Sequence, residues 1–191
     1  VIFIISIVFV NFNFGNTVFY FLFIAYLIGI ASDINYISSV KIRLFLQTFC
    51  ILFCIVLNDL SIKTLSIQLL NQFLNYEIFN IIFLLICLLV LINGYNFLDG
   101  INTLVIGNFT ICMISLYCVS YINNLTADLD LIKYLIIIFS IIYIFNFFGK
   151  SFLGDSGTYA MSFLTGILCI DFAYNNYFQV SPYFIACLLW Y

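Results

Sequence analysis

Charge is almost missing from this chain, and that constrains its fold more than anything else in it. Runs such as IFNIIFLLICLLVLI (78–92) and YLIIIFSIIYIFNFF (134–148) contain no charged residue. Each approaches the roughly 20 apolar residues that carry a helix across a bilayer. Charged residues make up 7% of the 191 and hydrophobic residues 66%, with a mean hydropathy of +1.25. A water-soluble domain holds about 25% charged residues, so water is not the main solvent here. The expected fold is all-α, a polytopic transmembrane helix bundle. It forms a single membrane domain over 1–191 with about seven or eight spans.

Polar clusters mark where the spans should end. A partial span at 1–10 meets the turn NFNFGN, and a span at 17–31 reaches SDINYISSVKIR. The next, at 44–57, leads into NDLSIKTLSIQLLNQFLNYE, whose mixed pattern suggests an interfacial helix. Spans follow at 78–92, 103–121, 133–148 and 158–174, and one more begins after NNYFQVSP. The chain opens on Val1 inside an apolar run, with no basic leader and no cleavage site, and stops at Trp190 and Tyr191. It reads as an internal piece of a longer protein. A net charge of −3 without histidine argues against nucleic acid as a partner. The seven cysteines lie in apolar runs without metal-binding spacing and read as small buried hydrophobes.

Successive spans alternate direction, because irregular backbone inside lipid leaves unpaired polar groups. Counting crossings puts SDINYISSVKIR, INGYNFLDGINTL and FGKSFLGDSG on the same side. Lys41, Arg43 and Lys150 accompany them, against Lys63 and Lys133 opposite, which tilts the motif side toward the cytoplasm. Each of the three segments contributes one acid: Asp33, Asp99 and Asp155. Five of the nine glycines (94, 100, 149, 154, 157) fall in the second and third segments, where sharp turns or a close ligand would need them.

Carboxylates brought close together raise one another's pKa unless a cation sits between them. Mg²⁺ suits such a place, because it takes one or two carboxylates plus water and substrate phosphates. Asparagine amides can hydrogen-bond a base or a sugar, and Lys41, Arg43 and Lys150 can offset phosphate charge. Singly, Lys41 and Arg43 read as membrane-edge anchors. The pattern points to phosphoryl chemistry at a membrane face. The rival from another class is an ion- or proton-coupled transporter using the same three acids, whose sites would lie nearer the bilayer midplane.

These segments resemble a known family. NGYNFLDGINTL is similar to the NxxNxxDGxDGL-type motif of the polyprenyl-phosphate N-acetylhexosamine-1-phosphate transferases, the glycosyltransferase 4 family. FNFFGKSFLGDSGTYAMSFLTG resembles that family's FN…AKxFMGDxGSL…G segment, and GIASDINYISSVKIRLFLQ its GxxDDxxxLSxxxKLxxQ stretch. The three occur in the family's order, and the resemblance runs from about residue 17 to the end. It implies a Mg²⁺-dependent enzyme, with Mn²⁺ as a substitute, in the bacterial cytoplasmic membrane. That enzyme moves N-acetylhexosamine-1-phosphate from a UDP-sugar to undecaprenyl phosphate, releases UMP and starts a lipid-linked surface glycan. The UDP-N-acetylglucosamine branch is the closer fit and the peptidoglycan branch the alternative; a homodimer is compatible with either.

Carried over by position, the resemblance makes Asp155 the metal ligand and Asp33 and Asp99 the catalytic acids. It implies that Asp33 orients the reactants or supports the metal, or else acts as the base, and that Asp99 is part of the polar loop around the nucleotide. Asn93, Asn96, Asn102, Asn146 and Lys150 become the substrate-binding residues. Ser32 stands where the family has the first aspartate of a pair, and Asn102 where its second segment has another aspartate. These departures add a third reading, a decayed homologue serving as a membrane scaffold, beside the transferase and the transporter. The family's glycine-rich loop and histidine-bearing loop are not found in these 191 residues. This stretch expressed alone is therefore expected to be inactive, whereas its parent protein turns over.

Overall fold

The computed structural model describes residues 16–65, 67–101, 103–125 and 128–189. These residues form helices without strands: α1 (Asn16–Asp33), α2 (Val40–Leu57), α3 (Gln68–Leu74), α4 (Glu77–Leu98), α5 (Leu104–Asn123), α6 (Leu129–Phe147), α7 (Gly154–Asn175) and α8 (Pro182–Leu189). Five of them, α2 and α4 to α7, are long and apolar enough to cross a membrane. In α1 the apolar helix Thr17–Asp33 is shorter than these. All six expected internal spans therefore correspond to helices. The expected partial span at 1–10 lies outside the described residues, and the last expected span is described only over Pro182–Leu189. The polar stretch expected to hold an interfacial helix contains the short α3. Asn80 pins that stretch to α4, accepting from Ile62 N at 3.1 Å and donating to Ile62 O at 2.8 Å and Leu74 O at 3.1 Å.

The bundle is built around α7. Nearly three quarters of its most apolar 18-residue window is buried (72%), far more than in any other span. It packs most extensively against α1 and α4. In lipid there is little hydrophobic force between helices, so close packing must do the work, and small residues allow it. α7 is built accordingly. Thr158, Ser162 and Thr165 are fully buried and return their hydroxyls to carbonyls in the preceding turn. Gly166 receives Leu88 and Leu91 of α4 where a side chain would stand.

Outward faces are as apolar as the interior. Phe45, Phe49 and Phe53 form an exposed stripe on α2, and Ile82, Ile86 and Val90 another on α4. Spaced by one helical turn, such stripes suit lipid as solvent. Four cysteines, Cys50, Cys54, Cys112 and Cys169, are buried as expected. Cys87, Cys118 and Cys187 instead lie exposed on these apolar outer faces, because an all-round apolar helix gives no signal of which side faces the core.

The C-terminal ends of α1 and α4 and the connection from α6 into α7 meet at one end of the bundle. Asp59, Lys63, Glu77 and Tyr177 line a cleft at the other, where the Lys63 ammonium sits over the rings of Tyr174 and Tyr177. The three polar segments thus share one side, as counting the crossings required.

Candidate active site

Three acids converge on the first turn of α7, and each reaches it differently. Asp155 belongs to that turn. Asp33, the last residue of α1, accepts from the Asp155 backbone N–H at 2.8 Å through Oδ1 and from the Ser156 N–H at 3.0 Å through Oδ2. Asp99 follows the last residue of α4 and lies near enough to feel the charges of Asp155 and Asp33 and the Gly154 backbone N–H. The first turn of any helix has unpaired N–H groups and the positive end of the helix dipole. Leu153, at the N-cap position, provides no side-chain cap. Asp33 from α1 fills that role, so local helix chemistry lets like charges gather here.

A close backbone approach makes this geometry available. A Cβ on Gly29 of α1 would stand 2.3 Å from Ser156 Cα and 2.6 Å from Asp155 O. Only glycine lets the two helix ends meet so closely. At Gly154, φ is +66°, a conformation that favours glycine, and a Cβ there would press on the Asp33 carboxylate.

Asp155 is the most heavily bonded side chain of the group. Its Oδ1 accepts from Asn96 Nδ2 at 2.6 Å. Its Oδ2 accepts from Ser32 Oγ at 2.5 Å, from Arg43 Nη1 at 2.8 Å and, more weakly, from Tyr159 Oη at 3.5 Å. Arg43 Nη1 also donates to Ser32 Oγ at 2.7 Å. Arg43–Asp155 is the one salt bridge among the described residues. Arg43 is therefore not the membrane-edge anchor that its position near a span end suggested. It continues the buried face of α2 through Gln47, Cys50, Ile51 and Cys54, whereas Lys41 is exposed. That helical phase was the available signal. Ser32, where the family pattern has aspartate, keeps a hydrogen bond to Asp155 without adding a fourth negative charge.

The expected asparagines divide into two groups. Asn96 reaches Asp155, and Asn93 donates to Leu89 O at 2.8 Å and, at 3.4 Å, to Gln47 Oε1 on α2. Asn146 is 4% exposed and tied up between loops, accepting from Thr103 N at 2.6 Å and donating to Ser151 O at 2.7 Å. It holds the end of α6 against the start of α5, and Thr103 in that clamp has a φ of +72°. Lys150 is exposed, and its backbone N–H closes the end of α6 on Phe145 O; the cation at the acids is Arg43 instead. Asn102 lies outside the described residues.

Burial, with the charges of Asp155 and Asp33 acting in the same direction, pushes Asp99 up to about 6; the Gly154 N–H partly offsets them. A carboxyl group whose folded pKa is raised favours the fold while protonated, and that contribution is lost as pH rises through about 6. Asp99→Asn should therefore flatten the pH dependence. Between pH ~4 and ~7 the wild type should lose stability relative to the variant. Parallel melting curves of the two proteins across that range measure it; curves that stay parallel would contradict a buried, charge-coupled Asp99.

The same repulsion bears on a metal. Three acids face one guanidinium, leaving negative charge at Asp99 and Asp155 that a cation would neutralise. Among the described residues, no three His, Cys, Asp or Glu side chains converge with ligand geometry. A closed protein cage of the zinc or calcium kind therefore does not fit, whereas Mg²⁺, content with one or two carboxylates plus water and phosphates, does. Beside the acids, an apolar cleft of about 350 Å³ runs between α1, α6 and α7 from Phe19 and Phe139 to Ser156.

Membrane-spanning helices with a polar, acid-rich centre at one end define an integral membrane protein equipped for charged substrates at the bilayer surface. The chain belongs to glycosyl transferase family 4, whose model matches residues 15–173. No curated protein and no solved structure matches it. Family membership makes it a transferase that passes a phospho-sugar to a lipid carrier. The coupled-transporter reading has no support from it.

Proposed function

We propose that this protein transfers N-acetylhexosamine-1-phosphate from a UDP-sugar of the UDP-N-acetylglucosamine type to undecaprenyl phosphate. UMP is released, and the product starts a lipid-linked surface glycan. The observation that carries the reading is the meeting of Asp33, Asp99, Asp155, Arg43 and Asn96 on the first turn of α7, in a chain of this family.

An oxygen of the lipid phosphate attacks the β-phosphorus of the UDP-sugar in line. The new P–O bond forms as the bond from that phosphorus to the bridging oxygen breaks, and the electron pair leaves with UMP. A phosphate monoester, with its second pKa near ~6, is already largely dianionic at neutral pH. It needs positioning and charge neutralisation more than a base. Asp33 therefore acts as a positioning residue, with both of its oxygens holding backbone amides of α7. Mg²⁺, carried by Asp155 with Asp99, would supply charge neutralisation for the diphosphate. Asn93, Asn96 and Asn102 orient the nucleotide, Asn146 keeps the surrounding loops in place, and Lys150 adds positive charge at the rim.

The test uses membranes from cells expressing the complete open reading frame, supplied with labelled UDP-N-acetylglucosamine and undecaprenyl phosphate. A diphosphate-linked lipid and an equal amount of UMP are expected, strictly dependent on the lipid acceptor. Release of UDP instead of UMP would overturn the reading. Preference for a UDP-muramoyl-pentapeptide donor would move the protein to the peptidoglycan branch.

A further inference from the structure

Below Asp155, five side chains close a polar ring across three helices. Arg43 and Gln47 come from α2, Asn93 and Asn96 from α4, and Asp155 from α7. Arg43 bonds Asp155, Asp155 bonds Asn96, and Asn93, one turn from Asn96, bonds Gln47, one turn from Arg43. Gln47 is 3% exposed, inside a membrane-spanning helix. Its Oε1 accepts from Asn93, whose amide is oriented by its donation to the Leu89 carbonyl, and its Nε2 has no partner. Arg43 Nε is also buried without a partner. A buried donor left unmatched costs about 1–3 kcal/mol. These two donors belong to residues one turn apart, about 6 Å along the axis, so the ring leaves two donors unmatched. Its only charged acceptor, Asp155, receives Asn96 on one oxygen and Ser32 and Arg43 Nη1 on the other, and neither Gln47 Nε2 nor Arg43 Nε.

We propose that Gln47 is a substrate-binding residue: with Arg43 Nε it receives a phosphoryl oxygen of the bound substrate. A guanidinium edge matches the oxygens of a phosphate. A neutral amide donor one turn deeper fixes a second direction without adding charge inside the membrane. The oxygen belongs either to the nucleotide diphosphate or to the lipid phosphate. The inference rests on the phosphoryl-transfer reading above.

The experiment measures binding of UDP-N-acetylglucosamine and, separately, of a short polyprenyl phosphate to the complete protein in nanodiscs. Wild type is compared with Gln47→Leu and Gln47→Glu. Gln47→Leu removes the donor in an apolar surround, and Gln47→Glu keeps the acceptor for Asn93 while turning the donor into an anionic oxygen. Both variants should weaken one of the two ligands about tenfold or more, on the scale of a hydrogen bond to a charged acceptor, and leave the other unchanged. The ligand affected identifies the source of the oxygen. Wild-type affinity for both ligands in Gln47→Glu would overturn the proposal even if Gln47→Leu fails to fold. Equal weakening of both ligands with a lowered melting temperature would also overturn it, as the mark of a purely structural glutamine. Wild type binding neither ligand would contradict the transferase reading itself and remove the inference with it.

Discussion

Asp155→Asn should abolish transfer, with turnover falling by at least about 10²–10³-fold, the scale on which one preorganised electrostatic group acts. The substitution is nearly isosteric, so the reason is chemical. In the wild type both carboxylate oxygens accept, Oδ1 from Asn96 and Oδ2 from Ser32 and Arg43. An amide offers one acceptor and one donor edge. If its oxygen faces Arg43, its NH₂ faces the NH₂ of Asn96; if it is turned round, it faces the guanidinium. Either orientation breaks a bond and leaves Arg43 without its counter-charge. A stability loss of about 1–3 kcal/mol is expected from the lost charged hydrogen bonds, since the pair is partly solvated. Release of UMP at saturating Mg²⁺ is the measurement. Turnover within a few-fold of wild type would show that Asp155 does not anchor the reaction.

Gly29→Ala should be nearly as damaging, although Gly29 carries no functional group. The added methyl would fall 2.3 Å from Ser156 Cα, and backbone atoms cannot rotate aside as a side chain can. α1 must therefore move away from α7. Overpacking costs about 1–3 kcal/mol in general and more when backbone is displaced. The shift also pulls the Asp33 carboxylate from the amides of Asp155 and Ser156, so activity should fall at least tenfold along with the melting temperature. Gly94→Ala is the control, because a Cβ there meets nothing within 4 Å. A helical glycine replaced by alanine gains about 0.8–1.0 kcal/mol, so that variant should hold or raise the melting temperature. Equal behaviour of the two variants would contradict the close contact between α1 and α7.

Much of this arrangement was legible in the sequence, for a physical reason. A backbone inside lipid has few options, so the apolar runs defined the spans, and the alternation of spans put Asp33, Asp99 and Asp155 on one side. The partners of these acids were not legible. Asp33 read as an orienting acid, but the sequence did not show that the groups it holds are backbone amides of a helix 122 residues away. Asn146 looked like a ligand for substrate and instead ties two loops together. Such roles depend on which helix ends touch, and here that contact is set by Gly29, which by itself gives no hint of its neighbour. Arg43 was discounted because it stands near the start of a span; its helical phase with Gln47 and Cys50 pointed inward all along. Lys150 had the right charge and the right segment, but it follows Gly149, whose φ of +66° turns the chain at the end of α6.

Paramagnetic Mn²⁺ in place of Mg²⁺ offers the most direct test of whether these carboxylates and a diphosphate share one cation. Washed membranes containing the complete protein, Mn²⁺ and UDP-N-acetylglucosamine should give a protein-bound manganese signal with phosphorus hyperfine coupling. Asp155→Asn should lose it. A coupled signal of undiminished strength in that variant, or bound manganese without phosphorus coupling in the wild type, would contradict the account.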